Sequence, residues 1–321
     1  MVKILEYLEQ FKGKNILITG GTGSFGKYVT KALLSYEPAE IRIFSRGEDR
    51  QRQMKLKFPQ RAMKFIIGDV RDYERVLEAT KGMDVVFHAA ALKQVPLIER
   101  HPYEAVKTNI YGTLNVKRAC IENKVEKCLL ISTDKAVKAV NAYGMTKALA
   151  EKSFLCNEFT YNTKFSCVRY GNVIGSTGSV VPVFKKLIEE GKPLTITDPK
   201  MTRFLITLKQ AIELVFFAIR DMEGGEIFVP KIPSCKITDL AVALGGPEYP
   251  LKFVGIRPGE KIHECLIQED EMRRTVSMEK YFKILPYEKD FYQTSSEESE
   301  FTSENTRRLN VDEIKDLLKS D

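Results

Sequence analysis

Short apolar runs alternate with segments of helical periodicity along the first half of the chain. From their length and composition, we predict buried strands at residues 15–18, 41–44, 65–67, 84–87, 128–131 and 165–169. Helices are predicted between them, at residues 27–35 and 104–123 and from Tyr143 to about Phe159. This alternation predicts an α/β fold, a Rossmann-like doubly wound parallel sheet.

A further helix is predicted within residues 1–14, where apolar residues at helical spacing are interrupted by Glu6 and Glu9. Those charges exclude the apolar core of a signal peptide. The apolar stretch 212–219 is too short to cross a bilayer and contains Glu213, so we interpret it as a core helix. We therefore expect no transmembrane segment and no membrane partner.

A glycine pattern follows the first strand directly. Gly20, Gly23 and Gly26 are spaced three apart, and this spacing allows a tight turn, close approach of a pyrophosphate and close helix packing. The next helix would point its N-terminus at that pyrophosphate, whereas a flexible loop is the alternative for a glycine pattern alone. We assign to a dinucleotide site Gly20, Thr22, Gly23, Ser24, Phe25 and Gly26.

The end of the second predicted strand bears on the choice of cofactor. Ser45 and Arg46 stand where a protein that binds NAD usually offers an acidic residue to the ribose, and an arginine suits a 2′-phosphate. We therefore predict NADP rather than NAD, with Arg50 assisting. The start of a solvated helix is a competing interpretation for Arg50.

Two later strand ends add to this site. Asp69, followed by Val70, is a candidate acceptor for the adenine amino group, with a helix N-cap as an equal alternative. Ala89 and Ala90 are small and leave room for a cofactor after the fourth strand. We predict that His88, at the end of that strand, is a hydrogen-bonded structural residue.

The candidate catalytic residues lie at residues 132–147, between a predicted strand and the helix that follows it. Open parallel sheets bind their ligands at such strand ends. Tyr143 and Lys147 are four apart and so share one helix face, and an ammonium near a phenol favours the phenolate. The tyrosine is therefore a candidate base. A half-buried tyrosine beside a solvated lysine is the alternative for this spacing alone.

Composition narrows the function classes. The formal net charge of +7 suggests anionic ligands, but the basic residues are spread along the 321 residues without a block, so we predict no nucleic-acid role. Six cysteines without a Cys-x-x-Cys pair indicate a reducing compartment, which we take to be the cytoplasm. Three histidines without metal-ligand spacing predict no metal site.

The pattern loosens beyond Asn172, where glycines and prolines punctuate shorter segments. We predict an NADP-binding Rossmann domain at residues 1–172. A smaller α/β domain, mainly for substrate, is predicted at residues 173–321, with some elements returning to the Rossmann sheet. Arg203 and Arg257 in this second part are candidates to meet a diphosphate.

The end of the chain carries two further signals. Residues 295–304 are rich in serine and glutamate and predict a loop. Asn310 with Glu313 is typical of a capping box, which predicts a last helix at residues 311–319.

Together these motifs resemble the extended short-chain dehydrogenase/reductase superfamily. More narrowly, the chain is similar to the UDP-N-acetylglucosamine 4,6-dehydratases, and among them to the C5-inverting type that opens pseudaminic acid synthesis. The similarity covers nearly the whole chain after the N-terminal helix. It is carried by Ser132-Thr133-Asp134-Lys135-Ala136, Arg169-Tyr170-Gly171-Asn172-Val173, Gly175-Ser176, Met201-Thr202-Arg203-Phe204, Arg257-Pro258-Gly259-Glu260-Lys261 and Thr302-Ser303-Glu304-Asn305-Thr306.

The resemblance implies a lyase that acts on UDP-N-acetylglucosamine with a recycled NADP. Tyr143, supported by Lys147, would take the proton of the sugar's 4-hydroxyl, and Thr133 would orient the 4-oxygen. Lys135 would be the base at C5, which requires a lowered pKa, and Asp134 would protonate the departing 6-hydroxyl, which requires a raised pKa. The implied substrate site comprises Lys93, Asn172, Val180, Thr202, Arg203, Arg257 and Glu260.

Other functions stay open on the sequence. Retaining relatives are typically long membrane proteins with methionine at the tyrosine position, so Tyr143 favours inversion over a retaining dehydratase. A nucleotide-sugar 4-epimerase or reductase would not need Asp134 and Lys135, because simple 4-epimerases lack this pair. A nucleotide-binding sensor would need neither acid/base pair. By analogy we also expect a homo-oligomer, a dimer or a hexamer.

Overall fold

A nine-stranded sheet organises the described part of the chain, which in this computed structural model comprises residues 2–156, 162–176, 178–287 and 300–319. The strands are β1 Asn15–Thr19, β2 Glu40–Ser45, β3 Met63–Ile67, β4 Val85–His88, β5 Lys127–Ile131, β6 Lys164–Val168, β7 Asn172–Val173, β8 Leu194–Ile196, β9 Thr202–Ile206, β10 Ile227–Pro230, β11 Ser234–Lys236, β12 Leu251–Phe253, β13 Cys265–Ile267, β14 Thr275–Ser277, β15 Tyr281–Ile284 and β16 Phe301–Thr302. The helices are α1 Val2–Phe11, α2 Ser24–Leu33, α3 Glu48–Lys57, α4 Tyr73–Thr80, α5 Val95–Arg100, α6 Pro102–Ala105, α7 Gly112–Glu122, α8 Ala142–Leu155, α9 Val180–Glu189, α10 Leu208–Asp221, α11 Ile237–Gly245, α12 Glu269–Met272 and α13 Val311–Lys319.

The strand order across this sheet is β14-β15-β10-β6-β5-β4-β1-β2-β3. Neighbouring strands from β3 to β10 run parallel, and β15 and β14 continue the sheet antiparallel at one edge. Chain order reverses between the neighbours β1 and β4, so the crevice in which doubly wound sheets bind ligands opens at their carboxyl ends. The predicted α/β class and doubly wound parallel sheet are confirmed.

The central strands are buried by helices on both faces, which is why they read in the sequence as continuous apolar runs. Ile16, Leu17 and Ile18 of β1 are fully buried, as are Val86 and Phe87 of β4. The six predicted strands are all present, with ends that differ by one or two residues from those predicted.

Several helices depart from their predicted bounds. α2 begins at Ser24 rather than at residue 27, because Gly26 lies inside its first turn. The predicted helix 104–123 consists of α6, a π-helical segment at Val106–Tyr111, and α7. The predicted end of α8 near residue 159 lies outside the described residues.

The last predicted helix and its capping box are confirmed in α13. The backbone N–H of Glu313 donates to Asn310 Oδ1, and that of Asn310 donates to Glu313 Oε2, both at 2.9 Å. The predicted loop at 295–304 is described only from residue 300, and there it is wrong in part, because β16 pairs with β13.

A second apolar core lies among α9, α11, α13 and the short strands β8 and β9. Phe184, Leu194, Leu205, Leu240 and Ile314 are buried in it. Strands β10, β14 and β15, which also follow residue 172, belong to the main sheet. The domain boundary at residue 172 stays a prediction.

Within the described ranges, no helix is long and apolar enough to cross a bilayer.

Candidate active site

A cavity of about 1510 Å³ opens at the carboxyl ends of β1, β4 and β5. Single-ligand pockets usually measure about 300–1,000 Å³, so this cavity has room for a dinucleotide and a nucleotide sugar together. The predicted residues that line it are Gly20, Thr22, Gly23, Ser24, Phe25, Ser45, Arg46, Arg50, Asp69, Val70, Ala89, Ala90, Lys93, Thr133, Lys135, Tyr143, Lys147, Asn172, Val180, Arg203, Arg257 and Glu260. Among the predicted residues, Gly26, Asp134 and Thr202 do not line it.

The glycine turn after β1 is shaped by close backbone packing. Gly20 has φ +67°, and a Cβ there would lie 2.8 Å from the Cα of Ala90. A Cβ on Gly26 would lie 2.2 Å from the carbonyl oxygen of Gly21. Gly26 therefore allows α2 to pack on the turn and lies outside the cavity wall.

The N-terminus of α2 has the features of a phosphate site. Its N-cap residue is Gly23, which has no side chain to cap the helix. The first turn, with Ser24 and Phe25, faces the cavity. The backbone N–H groups and the dipole at a helix N-terminus favour an anion, so these residues fit a dinucleotide pyrophosphate.

The end of β2 places a cation beside this helix end. The Thr22 hydroxyl donates to Ser45 Oγ at 3.2 Å, and the Gln51 side chain donates to the Ser45 carbonyl at 2.9 Å. Arg46 follows this ordered turn, with its guanidinium 3.7 Å from Asp69 and about half exposed. The side chain is thus able to meet a ligand phosphate.

Asp69 is not a helix N-cap, and that alternative is wrong. The cap of α4 is Asp72, whose Oδ1 accepts from the N–H of Arg75 at 3.1 Å. Asp69 instead accepts from the backbone and guanidinium of Arg71, at 3.0 and 2.7 Å. Burial alone would raise the pKa of Asp69, but the hydrogen bonds from Arg71 lower it below its ordinary value.

His88 is a hydrogen-bonded structural residue, as predicted. Its Nδ1 lies 2.6 Å from the Thr19 hydroxyl, and its Nε2 lies 3.0 Å from the Thr113 hydroxyl. Complete burial lowers the pKa of His88 to about 3. The imidazole is therefore neutral and joins β1, β4 and α7.

Tyr143 and Lys147 both line the cavity. The expectation that the Lys147 ammonium favours the phenolate of Tyr143 is wrong, because the pKa of Tyr143 is raised. Lys147 Nζ reaches past the helix to donate to the Ile131 carbonyl at 2.8 Å. Burial raises the pKa of Tyr143 to about 12, and the groups that act against this rise are the Lys135 ammonium and the Thr133 hydroxyl. Burial also lowers the pKa of Lys147.

Asp134 lies directly beneath the cavity wall. Its carboxyl is fully buried, accepts from the Thr133 hydroxyl at 2.9 Å and lies 3.1 Å from Lys135 Nζ. Burial raises the pKa of Asp134, and the nearby Glu264 carboxylate adds to the rise. This rise in the pKa of Asp134 is in the direction that proton donation requires.

The expected lowering of the Lys135 pKa is wrong. Burial acts in that direction, but the carboxylates of Asp134 and Glu264 raise the pKa of Lys135 above its usual range. Glu264 Oε1 lies 3.2 Å from Lys135 Nζ, and the Asn172 side-chain oxygen lies 3.5 Å from it. In this arrangement Lys135 is an ammonium.

Glu264 is the main residue of the site that sequence reasoning missed. It is buried just before β13 and lines the cavity. Burial favours its neutral form, but Lys135, Arg203 and Lys261 lower the pKa of Glu264 to about 2. Its position in the sequence carries no spacing signal toward Lys135, so only the fold reveals the contact.

Thr202 does not lie at the cavity as predicted, and Arg203 lies there but is bound to the backbone. The Thr202 hydroxyl is buried against Ser303 Oγ at 2.7 Å and His263 Nδ1 at 2.8 Å, away from the cavity. The Arg203 guanidinium lines the cavity but donates to the carbonyls of Thr202, Ile262 and Lys261 at 2.7–3.0 Å. The Arg203 side chain therefore binds the backbone of the segment before β13.

Asn141, also missed, joins α8 to the 257–261 loop. As N-cap residue it accepts from the N–H of Gly144 at 2.8 Å, and its amide donates to the Gly259 carbonyl at 2.7 Å. Gly259 has φ +80°, and a Cβ there would lie 2.9 Å from Asn141 Cβ. The loop and the start of the helix are thus one packed unit.

The cavity wall carries more basic than acidic side chains, which suits ligands that contain diphosphates. Its basic residues are Lys27, Arg46, Arg50, Lys93, Arg100, Lys135, Lys147, Arg203, Arg257 and Lys261. Its acidic residues are Asp69, Glu99, Glu260 and Glu264. Among the described residues, no group of three or more His, Cys, Asp or Glu is placed to hold a metal ion.

The chain is similar to known families and proteins over most of its length. A family model described as "Polysaccharide biosynthesis protein" matches residues 16–286, and one for its C-terminal part matches residues 286–320. A UDP-N-acetylglucosamine 4,6-dehydratase (inverting) of Campylobacter jejuni subsp. jejuni serotype O:23/36 (strain 81-176) is 53% identical over 86% of this chain and 84% of its own length.

Two further relatives cover almost the whole chain. A UDP-glucose 4-epimerase of Rickettsia bellii (strain RML369-C) is 44% identical over 96% of both chains. The X-ray structure of Pen from Bacillus thuringiensis is 36% identical, with a TM-score of 0.90, and covers 97% of this chain and 99% of that one.

Proposed function

We propose a function from one premise: the chain belongs to the polysaccharide biosynthesis protein family, whose model matches residues 16–286. The protein is a UDP-N-acetylglucosamine 4,6-dehydratase that inverts C5 and gives UDP-2-acetamido-2,6-dideoxy-β-L-arabino-hex-4-ulose. The observation that carries this proposal is the Asp134–Lys135 pair beside Tyr143 in one cavity, in a chain 53% identical to an inverting dehydratase.

The cofactor of this proposal is NADP. A nicotinamide, when bound, supplies reversible hydride transfer, so that no net oxidation of the sugar remains at the end of the turnover. The N-terminus of α2, which begins after Gly23 and faces the cavity, supports the pyrophosphate, and the half-exposed guanidinium of Arg46 supports the 2′-phosphate.

Tyr143 and Thr133 act on the 4-oxygen of the sugar. Tyr143 is neutral in the resting protein, because burial raises its pKa to about 12. It becomes a base only when its phenolate is stabilised. The Lys135 ammonium and the Thr133 hydroxyl are the neighbours that favour the phenolate.

Asp134 and Lys135 carry out the elimination of water. The 4-ketone acidifies the hydrogen at C5, Lys135 removes it, and Asp134 protonates the departing 6-hydroxyl. Asp134 is poised for its role, since burial favours the neutral acid. Lys135 must first lose the proton that its carboxylate neighbours favour, and the Asp134 carboxylate, 3.1 Å from Nζ, is the acceptor that the site supplies. This transfer would leave the neutral amine and the neutral acid that the elimination uses.

A 4-epimerase is the second candidate, because a 44% identical relative carries that name. Epimerisation needs reversible oxidation at C4 but no acid for a leaving hydroxyl. The Asp134–Lys135 pair at 3.1 Å, in which burial raises the pKa of the acid, favours the dehydratase.

The proposal also includes the setting of the enzyme. Its product enters surface-glycan synthesis, of pseudaminic acid or a related sugar, in keeping with the family description. None of the six cysteines, all of them in described residues, forms a disulfide, which supports the cytoplasm. Exposed apolar residues on α6–α8 support a homo-oligomer: Tyr103, Tyr111, Met145 and Leu149.

Proton NMR of the purified protein with UDP-N-acetylglucosamine in deuterated water tests the function. We expect a new methyl signal and L-arabino ring couplings. D-xylo couplings would instead indicate a retaining dehydratase, and a 4-epimer without a methyl signal would indicate an epimerase. Asp134→Asn should reduce the rate of methyl formation by about 100-fold or more, because it removes the general acid.

A further inference from the structure

Glu264 is a buried carboxylate of the cavity to which the mechanism above gives no role. Its side chain is 3% exposed, and Oε1 lies 3.2 Å from Nζ of Lys135. Two more cations surround it, since Lys261 lies 3.5 Å from Oε2 and Arg203 lies 3.8 Å from Oε1. Burying a carboxylate costs free energy unless opposite charges lie close to it. Here three cations compensate the one buried anion.

The backbone of Glu264 is held firmly by the C-terminal segment. The N–H of Ser303 donates to the Glu264 carbonyl at 2.8 Å, and the N–H of Glu264 donates to Ser303 Oγ at 2.9 Å. Ser303 is itself fully buried and lies 2.7 Å from the Thr202 hydroxyl. The carboxylate is therefore presented from a rigid support.

Lys261 and Arg203 have anchors of their own. Lys261 Nζ donates to the Val137 carbonyl at 2.6 Å. Arg203 donates to three main-chain carbonyls. Among the described residues, the recorded partners of Lys135 Nζ are all side chains: Asp134, Glu264 and, at 3.5 Å, Asn172. Its position therefore depends more on Glu264 than the positions of the other two cations do.

We propose that Glu264 is a positioning residue for the reaction: its carboxylate holds Nζ of Lys135 at the cavity wall and opposes the loss of its proton. This inference rests on the proposed role of Lys135 at C5. Glu264 acts through Lys135, because the 3.2 Å contact lies between these two side chains. Without Glu264, Nζ would keep the contact with Asp134 at 3.1 Å and the longer contact with Asn172 at 3.5 Å.

The charged and titratable groups that face Lys135 determine the expected pH behaviour. Asp134 from the same turn, Glu264 before β13, Arg203 from β9 and Tyr143 from α8 are those groups. Glu264→Gln removes one of the two anions and leaves Arg203 in place. The pKa of Lys135 should fall, so the neutral amine should form at lower pH.

The test compares Glu264→Gln and Glu264→Asp with the wild type. In Glu264→Gln, we expect the pH-independent maximum of kcat for methyl formation to fall by about 100-fold, the order of loss caused by misplacing a reacting group by about 1 Å. The limb of kcat/KM that rises with pH should move to lower pH by about 1–3 units. Glu264→Asp keeps the charge but shortens the reach, so kcat should fall while the limb moves less.

Glu304→Gln is the matched control. Glu304 follows Ser303 directly and is largely exposed, so the same charge is removed next to the site but outside the cavity. Its rate and pH profile should equal those of the wild type. UDP affinity, measured by calorimetry, should be near wild type in all three variants. Thermal unfolding establishes that each variant is folded, and Glu264→Gln should be less stable than the wild type because it leaves buried cations without this anion.

Each outcome decides the inference. A Glu264→Gln protein with wild-type kcat and pH profile overturns it, and so does a limb that moves to higher pH. Loss of UDP binding in a folded Glu264→Gln protein also overturns it, because Glu264 would then serve substrate binding. If Glu264→Gln does not fold, or is folded but inactive at every pH, Glu264→Asp decides: reduced kcat with normal UDP affinity supports the inference, and wild-type kcat overturns it. Failure of the wild type to form the methyl product would instead overturn the proposed function itself.

Discussion

Tyr143, Asp134 and His88 are all buried, and burial favours the neutral form of each side chain. For His88 the result is a structural hydrogen bond, whereas for Asp134 it is a poised acid. The two lysines respond differently. For Lys147, burial outweighs the raising effect of Cys167 and Glu151 and lowers the pKa, while two carboxylates raise the pKa of Lys135.

Arg46 carries a prediction at the scale of one residue. If its guanidinium binds the 2′-phosphate, Arg46→Ala should weaken NADP+ binding by about 10- to 100-fold, since a charged hydrogen bond contributes about 1.5–3 kcal/mol. NAD+ affinity should change little. Calorimetric titration with both cofactors measures the two effects.

Arg52→Ala is the control for this experiment, because Arg52 is an exposed cation of the following helix α3 and does not line the cavity. Equal loss of NADP+ and NAD+ affinity in Arg46→Ala, or no loss of either, would contradict the assignment of NADP to this site.

The elements of the site are joined at the start of α8. Asn141 caps this helix and also binds the 257–261 loop through Gly259. A Cβ on Gly144, in the first turn, would lie 2.2 Å from the Lys135 carbonyl oxygen. The helix that carries Tyr143 is therefore packed directly on the turn that carries Lys135.

Asn141 allows the two functions of this helix start to be separated. Asn141→Ser keeps a capping oxygen but is too short to reach Gly259, so stability should stay near wild type. UDP affinity should fall by about 3- to 10-fold, the equivalent of one hydrogen bond of about 0.5–1.5 kcal/mol. Asn141→Ala loses the cap as well and should also lose about 1 kcal/mol of stability.

Thermal unfolding and calorimetric UDP titration distinguish the two variants. Wild-type UDP affinity in Asn141→Ser would show that the contact with Gly259 is not what orders the loop for binding.

At the scale of the whole molecule, the site is assembled from distant segments of the chain. Lys135 follows β5, Arg203 lies in β9, Glu264 precedes β13 and Ser303 follows β16. The outer side of the helices that support this assembly is apolar, with Tyr103 and Tyr111 near Met145 and Leu149 of α8. Exposed apolar surface of this kind marks an interaction site.

Self-association through this surface predicts a mass above 36.6 kDa in solution. Leu149→Glu places a charge in the apolar surface and should lower the measured mass toward that of one chain. Light scattering after size-exclusion chromatography gives the mass directly. Leu56→Glu, which changes an exposed leucine of α3, is the control and should retain the wild-type mass. A wild-type mass in Leu149→Glu would place the interface elsewhere.

Local patterns were sufficient for much of the fold. The strands β1 to β6, α13 with its Asn310 cap, and the glycine turn were predictable because each depends on neighbours within a few residues in the chain. Strand β16, which lies where a loop was predicted, was not predictable, since its pairing with β13 is a long-range contact. Thr202 was misplaced for the same reason, as its partner Ser303 is distant in sequence.

The sequence by itself determined the α/β class, the glycine turn after β1 and the presence of Thr133, Asp134, Lys135 and Tyr143 near one strand end. Apolar periodicity and short-range spacing are sufficient for these features. Only the tertiary structure decided the protonation of that group, because a pKa depends on burial and on every charge nearby. Lys135 is an ammonium here because folding brings Glu264 to within 3.2 Å of it.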